Sequence, residues 1–142
     1  MTTVEIDDVA PAGRVRTAAD VMSAPVVTVS VHDTVWKAWG LLYRSGLRHL
    51  VVVDGVRVRG LIDDRRITAE WPLGPIGPHR RMVGDVVGRR VHCVLPETPA
   101  RIVAEIMLDD RTDAVPVVTE RGEILGLITT SDLLRELVGR DG

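Results

Sequence analysis

Three side chains near the end of the chain carry the most chemistry. In Gly126-Leu127-Ile128-Thr129-Thr130-Ser131-Asp132-Leu133-Leu134 an apolar run stops at hydroxyls and a carboxylate, and an apolar helical pattern then resumes. Those residue types describe a strand running into a helix, with Thr129, Ser131 and Asp132 on the joint. Such residues cap the first turn of a helix. The amides of that turn also favour an anion, because their N–H groups and the helix dipole point toward it. The carboxylate of Asp132 suits a pair of sugar hydroxyls. Capping and ligand binding call on the same residues; taken alone this stretch reads as a helix cap, and the rest of the chain shifts the reading toward binding.

Other chemistries find less support. The chain has 4 histidines and 1 cysteine. His92 and Cys93 are neighbours on an expected strand and so point to opposite faces. No Cys-x-x-Cys or His-x-x-x-His spacing occurs, so no metal site is expected. A serine elbow, a Walker loop and a supported cysteine–histidine pair are all missing, and Ser131 has no evident base. No catalytic residue is assigned and the chain is not expected to be an enzyme.

Bulk properties narrow the class further. The chain has 142 residues, 45% of them hydrophobic and 27% charged, an ordinary globular composition. A net charge of −2 gives no field for nucleic acid, and Arg80-Arg81 with Arg89-Arg90 supply only a small basic stripe. No apolar run approaches the roughly 18 residues of a membrane span. The first eight residues lack the basic start and apolar stretch of a signal peptide. With Cys93 alone no intrachain disulfide forms, which fits a reducing, cytoplasmic location. Lys37 is the single lysine among 18 basic residues and phenylalanine is absent, a codon bias expected of a high-GC bacterial genome.

The elements that must position the joint occur twice. Residues 1–16 read as a flexible or loosely docked arm. Residues 17–22 form a short helical pattern, and Val26-Val27-Thr28-Val29 a strand. Asp33-Thr34 starts a helix with Val35, Ala38, Trp39 and Leu42 on one face, closed by Gly46. Trp36 falls off that face, a candidate for a dimer surface or for burial in its own unit. Leu50-Val51-Val52-Val53, the Asp54-Gly55 turn, and Val56 to Ile62 make a hairpin. A helix beginning at Asp63 ends near Trp71-Pro72. The Pro- and Gly-rich segment 72–82 is a linker. Then the order restarts at 83–140: Val83 to Val87, His92-Cys93-Val94 as the strand, a helix from Glu97-Thr98-Pro99, Ala114 to Val118, and Gly126 onward. Leu50 to Val115 is 65 residues and Gly60 to Gly126 is 66. A one-residue slip belongs in a surface turn. The fold class is α/β (α+β): a β-α-β-β-α unit over 17–71 and its copy over 83–140. At about 60 residues neither half buries much alone. The two sheets should pack together about a pseudo-twofold axis, leaving a cleft for ligands.

This order resembles a tandem CBS-domain module, a Bateman module, over nearly all of 17–138, and as it stands a stand-alone CBS pair. The resemblance rests on the opening Asp-Val-Met (Asp20 to Met22), on Val115-Pro116-Val117-Val118 before Gly122, and on Gly126-Leu127-Ile128-Thr129 with Asp132-Leu133. It implies a non-catalytic regulatory module, usually paired into a disc-shaped homodimer, that binds an adenine nucleotide (AMP, ADP or ATP) or S-adenosylmethionine. No obligatory cofactor is implied, and the protein partner is unknown. By the family pattern Asp132 holds the ribose hydroxyls, while Thr129 and Ser131 reach ribose or phosphate. The base slot falls on Cys93-Val94-Leu95 and Ala114-Val115-Pro116. Arg48 and His49 stand at a position of phosphate contacts, with Arg65 near the same cleft. The first copy departs from the pattern. Asp63 replaces the threonine and Arg66 the ribose aspartate, and a guanidinium accepts no hydroxyl proton. Arg65 and Arg66 also read as a helix face pairing with Asp63 and Asp64. One competent site per chain is expected. The alternative is a ligand-free dimerisation or protein-interaction module.

Overall fold

The computed structural model describes residues 16–69, 80–88 and 90–139. The first copy contains α1 (Ala18–Val21), β1 (Thr28–Ser30), α2 (Val35–Ser45), β2 (His49–Asp54), β3 (Arg57–Asp63) and α3 (Asp64–Thr68). The second contains α4 (Val83–Val86), α5 (Ala100–Asp110), β4 (Ala114–Val118), β5 (Ile124–Thr129) and α6 (Thr130–Leu137). Local signals set most boundaries. Thr34 caps α2 by accepting the Lys37 N–H at 3.1 Å, and Gly46 ends it at φ 68°. Gly55 turns the β2–β3 hairpin at φ 67°, where a side chain would be strained. The expected helix end near Trp71-Pro72, the arm through residue 15 and most of the linker lie outside the described residues. Arg16, the last residue of that arm, is docked: its guanidinium pairs with Glu136 at 2.5 Å and its carbonyl accepts the Ala100 N–H.

One expected strand is not formed. The first copy builds a three-stranded sheet, β1 parallel to β2 and β2 antiparallel to β3. The second has only β4 and β5, and His92-Cys93-Val94 contribute a single bridge, Val94 to Val117. Two prolines account for the loss. In the first copy the Val51 N–H donates to Val27 and the Val31 N–H to Val53. The matching donors are Pro116 and Pro96, which have no N–H. What survives between them are the bonds from Val94 to Pro116 and from Val118 to Val94, at 3.0 and 2.8 Å.

Hydrogen bonds recur at the sequence offset and so express the pseudo-twofold relation. Ala18 donates to Thr98 as Val83 donates to Asp33. Ala19 donates to Pro96 as Gly84 donates to Val31, and Ala100 to Arg16 as Val35 to Arg81. Each pair joins the opening helix of one copy to the body of the other, so the short helices are exchanged. The cores agree. Val83 and Val86 pack with Val29, Val35, Leu50, Ile62 and Ile67, whereas Ala18 and Val21 pack with Val103, Val115, Val117 and Ile128. A third cluster, Val51, Val53, Ala114 and Leu127, lies between the two sheets. β2 and β4 are therefore covered on both faces, which explains their unbroken apolar runs. The hairpin ends also meet, with Val58 donating to Gly122 and Ile124 to Val56. On α2, Trp39 packs against the core while Trp36 is 43% exposed, and Trp36, Trp39 and Tyr43 stack at centroid distances of 5.5 and 5.2 Å.

Candidate functional site

The β5–α6 joint is a closed capping box. The Thr129 N–H and hydroxyl both donate to Asp132 Oδ2, at 2.8 and 3.1 Å, and the Asp132 N–H returns to the Thr129 hydroxyl at 3.4 Å. The other carboxylate oxygen accepts the Ser23 hydroxyl at 3.0 Å and the Arg135 guanidinium at 2.6 Å. Asp132 is the one buried charged residue among the described residues. Four donors fill the roughly four acceptor positions of a carboxylate. A sugar diol reaching Oδ1 must therefore displace Ser23, Arg135 or both. The negative charge also suits the amino end of α6.

A cavity of about 360 Å³ opens beside this joint. Thr129, Thr130, Ser131, Asp132 and Arg135 form one wall. The first copy supplies the opposite wall, with Ser23, Pro25, Val26 and Val27 leading into β1, and Leu47, Arg48 and His49 leading into β2. Leu127 forms part of the lining and Asp113 stands 2.8 Å from His49. The arrangement offers a carboxylate at one end, an apolar slot of Pro25, Val26, Val27 and Leu127, and the Arg48 guanidinium at the rim. It can hold an amphipathic ligand with vicinal hydroxyls and an anionic end.

Thr129, Ser131, Asp132, Arg48 and His49 thus come together as the sequence implies, and the slot does not. Cys93 and Ala114 line a different cavity, with Val58, Leu61, Arg59, Arg90 and His92. Val94 and Val115 are core residues, Pro116 is buried in β4, and the Leu95 N–H donates to Thr98. Arg65 lines a third cavity beside Arg48. The cause is the exchange of ends: the strand start that faces the second copy's joint belongs to the first copy. Ser23, Val26 and Val27 were missed for this reason, whereas Arg135 was legible as the i, i+3 partner of Asp132 on α6. The sequence signal for the first three was the offset, which matches Val26-Val27 to Val91-His92.

The mate of this site, at the β3–α3 joint, is built differently. Asp63 caps α3 by accepting the Arg66 N–H at 2.8 Å, and Asp64 accepts the Arg65 N–H at 3.0 Å. The Arg66 side chain turns away and donates to the Val86 carbonyl at 2.7 Å, so neither arginine forms the expected ion pair with Asp63 or Asp64. Burial raises the Cys93 thiol above its ordinary pKa, which leaves it a poor nucleophile near neutral pH. Among the described residues no group of three or more His, Cys, Asp or Glu is placed to hold a metal ion. None of their helices is long and apolar enough to cross a membrane.

Comparison with known proteins agrees with this architecture. The chain is 34% identical over 122 residues to the A-adding tRNA nucleotidyltransferase of Geobacter sulfurreducens, an alignment covering 85% of this chain and 13% of that enzyme. The CBS domain pair of protein MJ0100, solved with 5-methylthioadenosine and S-adenosyl-L-methionine, superposes with a TM-score of 0.78 at 22% identity, covering 89% and 98% of the two chains. CBSX2, solved with AMP, gives a TM-score of 0.77 at 22% identity, covering 87% and 96%. The CBS domain family matches residues 18–71 and again 83–139. With two matched copies, exchanged helices and a joint-lined cleft between them, the chain belongs to the CBS domain family as a tandem pair.

Proposed function

We propose that the chain is a non-catalytic regulatory module and that the cavity at the β5–α6 joint binds an adenosine nucleotide, AMP, ADP or ATP, or S-adenosylmethionine. The observation that carries this reading is the convergence in one 360 Å³ cavity of Asp132 and Thr129, an apolar slot from the other copy, and Arg48. Asp132 takes the ribose hydroxyls in place of Ser23 and Arg135, the base enters the slot of Pro25, Val26, Val27 and Leu127, and phosphate faces Arg48. Solved relatives with AMP and with S-adenosylmethionine support the ligand class. Because the walls come from both copies, the ligand ties them together, and a partner reads the change. It shifts that equilibrium only by its differential affinity for the two states. Exposed Leu134 and Leu137 on α6, with Leu108 on α5, support pairing of two copies, which light scattering would measure.

A second reading, a ligand-free interaction module, draws on one specific observation: the Asp132 carboxylate is already saturated by protein donors. Thermal unfolding separates the two. A ligand at 100 times its dissociation constant adds about 2.7 kcal/mol to stability. We expect that stabilisation from AMP or ATP in the native chain, and its loss in Asp132→Asn, which keeps the side-chain shape. Stabilisation that survives in Asp132→Asn would place the ligand elsewhere. No stabilisation by adenosine, AMP, ATP or S-adenosylmethionine would leave the interaction reading.

A further inference from the structure

The outer sides of α2 and α5 match in place and oppose in charge. The sequence offset of 65 brings Tyr43 of α2 onto Leu108 of α5, and these are the most exposed apolar side chains of their helices, at 76% and 78%. The next residue is Arg44 in one helix and Asp109 in the other. α2 carries Lys37 and Arg44 and no carboxylate, whereas α5 carries Glu105, Asp109 and Asp110 with Arg101 as its one cation. Most of these charges are met within the chain. Lys37 pairs with Asp33 at 3.1 Å, Arg101 with Glu105 at 3.9 Å and His92 with Asp110 at 3.0 Å. Among the described residues the Arg44 and Asp109 side chains have no ionic or hydrogen-bonded partner.

Asp109 is the less well placed of the two. It lies in the last turn of α5, where the carbonyl end of a helix favours a cation, and no basic residue occupies that turn. Arg44 lies in the last turn of α2, and its guanidinium runs back over Gly40, where an added Cβ would meet Nη1 at 3.4 Å. Glycine weakens a helix interior, and here it leaves a notch one turn from Tyr43. The position matching Gly40 in α5 holds Glu105. The two faces are thus alike in backbone and apolar seam, and complementary in what surrounds the seam.

The internal pseudo-twofold lets a second copy meet these faces in two ways. Like against like sets the Arg44 side of one chain on the Arg44 side of the other, and the Asp109 side on the Asp109 side. Crossed pairing sets α2 on α5 twice, once at each reciprocal contact. Apolar burial serves either arrangement, Leu134 and Leu137 of α6 included, so charge decides. Like charges brought together repel, and opposite ones steer and fix the register.

We propose that the occupant of the α2 face is the α5 face of a second copy, so that the pair is crossed, with Tyr43 against Leu108 and Arg44 against Asp109. This rests on the pairing of two copies suggested above and is independent of the nucleoside reading. The first test traps the pair with a short thiol cross-linker in a Cys93→Ala background. Tyr43→Cys and Leu108→Cys are made in separate chains, and both positions are exposed, so the fold is kept. The expected result is that neither variant cross-links with itself, while an equimolar mixture allowed to exchange subunits gives a covalent dimer. Cross-linking of either variant with itself, and none between the two, would overturn the proposal. The second test leaves the apolar seam intact. Arg44→Asp and Asp109→Arg should each weaken the dimer about tenfold in sedimentation equilibrium, and the two together should restore it. In a like-with-like pair each reversal exchanges one repulsion for another, so unchanged dimers in the single variants would also overturn it. A native chain that stays monomeric would remove the pairing itself and leave the face to a different protein, and stabilisation by AMP in that monomer would show the nucleoside reading standing without it.

Discussion

The cavity at the β5–α6 joint and its mate at the β3–α3 joint share a backbone and differ in what that backbone presents. Both begin from an apolar Gly-Leu-Ile strand, both have a capped helix, and both face the strand start of the other copy. At the first, the cap is Thr129, Asp132 lies three residues on, and Ser23 holds Asp132 from across the cleft. Ser23 is further stitched to β5 by two bonds with Leu127, at 2.9 and 3.0 Å. At the second, Asp63 is the cap, Arg66 reaches for Val86, and the residue matching Ser23 is Gly88, which makes no such pair with Leu61. The difference teaches that the fold asks only for a cap at the joint. Threonine and aspartate satisfy it equally, so the residue three positions later is free to become a carboxylate or a cation.

The strongest way to break this comparison is to transplant it. Asp63→Thr with Arg66→Asp recreates the Thr129–Asp132 capping box on α3. The cap is preserved in kind, and the lost Arg66 bond to Val86 costs about 1 kcal/mol. The expected outcome is two equivalents of AMP in calorimetric titration of this variant, against the one expected of the native chain. A stoichiometry that stays at one would show that Ser23 and its stitch to Leu127 are part of the site, leaving Gly88 as the next position to change.

A smaller effect tests how equally the exchanged helices are seated. A methyl added at Gly60 would lie 2.5 Å from Val87 Cγ2, and one at Gly126 would meet the matching residue, Met22, along its side chain. Each alanine substitution should cost about 1–3 kcal/mol by overpacking. Repair should differ. Val87→Ala removes the obstructing methyl and should restore most of the stability of Gly60→Ala. Met22→Ala should repair Gly126→Ala less completely, because the Met22 Cβ itself would sit 3.1 Å from the new methyl. Denaturant midpoints of the four variants would measure this, and equal repair would show that the two helices are seated alike.

These glycines also mark how far the sequence can be read. The elements were legible because their signals are local: β-branched runs, Thr34 three residues before Lys37, and Gly46 after the last apolar turn. The joint was legible for the same reason, since Thr129 and Asp132 lie on one turn. The slot was not. Whether Val26 or Val91 faces Asp132 depends on which copy each short helix packs against, a long-range outcome that no spacing within a copy encodes. The missing strand at 92–94 was readable in principle. Pro96 and Pro116 each remove a specific ladder donor, but only once the first copy's hydrogen bonds are known. The departures Asp63 and Arg66 were visible at once, yet the turn of Arg66 onto the Val86 carbonyl depends on α4, which sits there only through the exchange.

The smallest expected effect comes from Cys93, which lines a cavity sharing Leu61, Gly88 and Thr112 with the one at Asp63 and Arg66 and is matched in the first copy by Thr28, so its thiol reports on the mate side and not on the β5–α6 cavity. Burial raises its pKa, so the folded chain holds the thiol proton at a pH where the unfolded chain releases it. The sign follows from linkage. This contribution to stability is fully present below the unfolded thiol value of about 8.5 and is lost as pH rises through the folded one. Cys93→Ala should therefore flatten the alkaline decline in stability, and the native thiol should react slowly with iodoacetamide at neutral pH. Labelling at pH 8.5 then sharpens the comparison. In the native chain AMP seated at Asp132 should leave the Cys93 rate unchanged. In the Asp63→Thr, Arg66→Asp chain AMP should slow it, because the new occupant sits against the Cys93 wall. Protection in the native chain would mean that the cavity with arginine in place of the aspartate already binds the nucleotide.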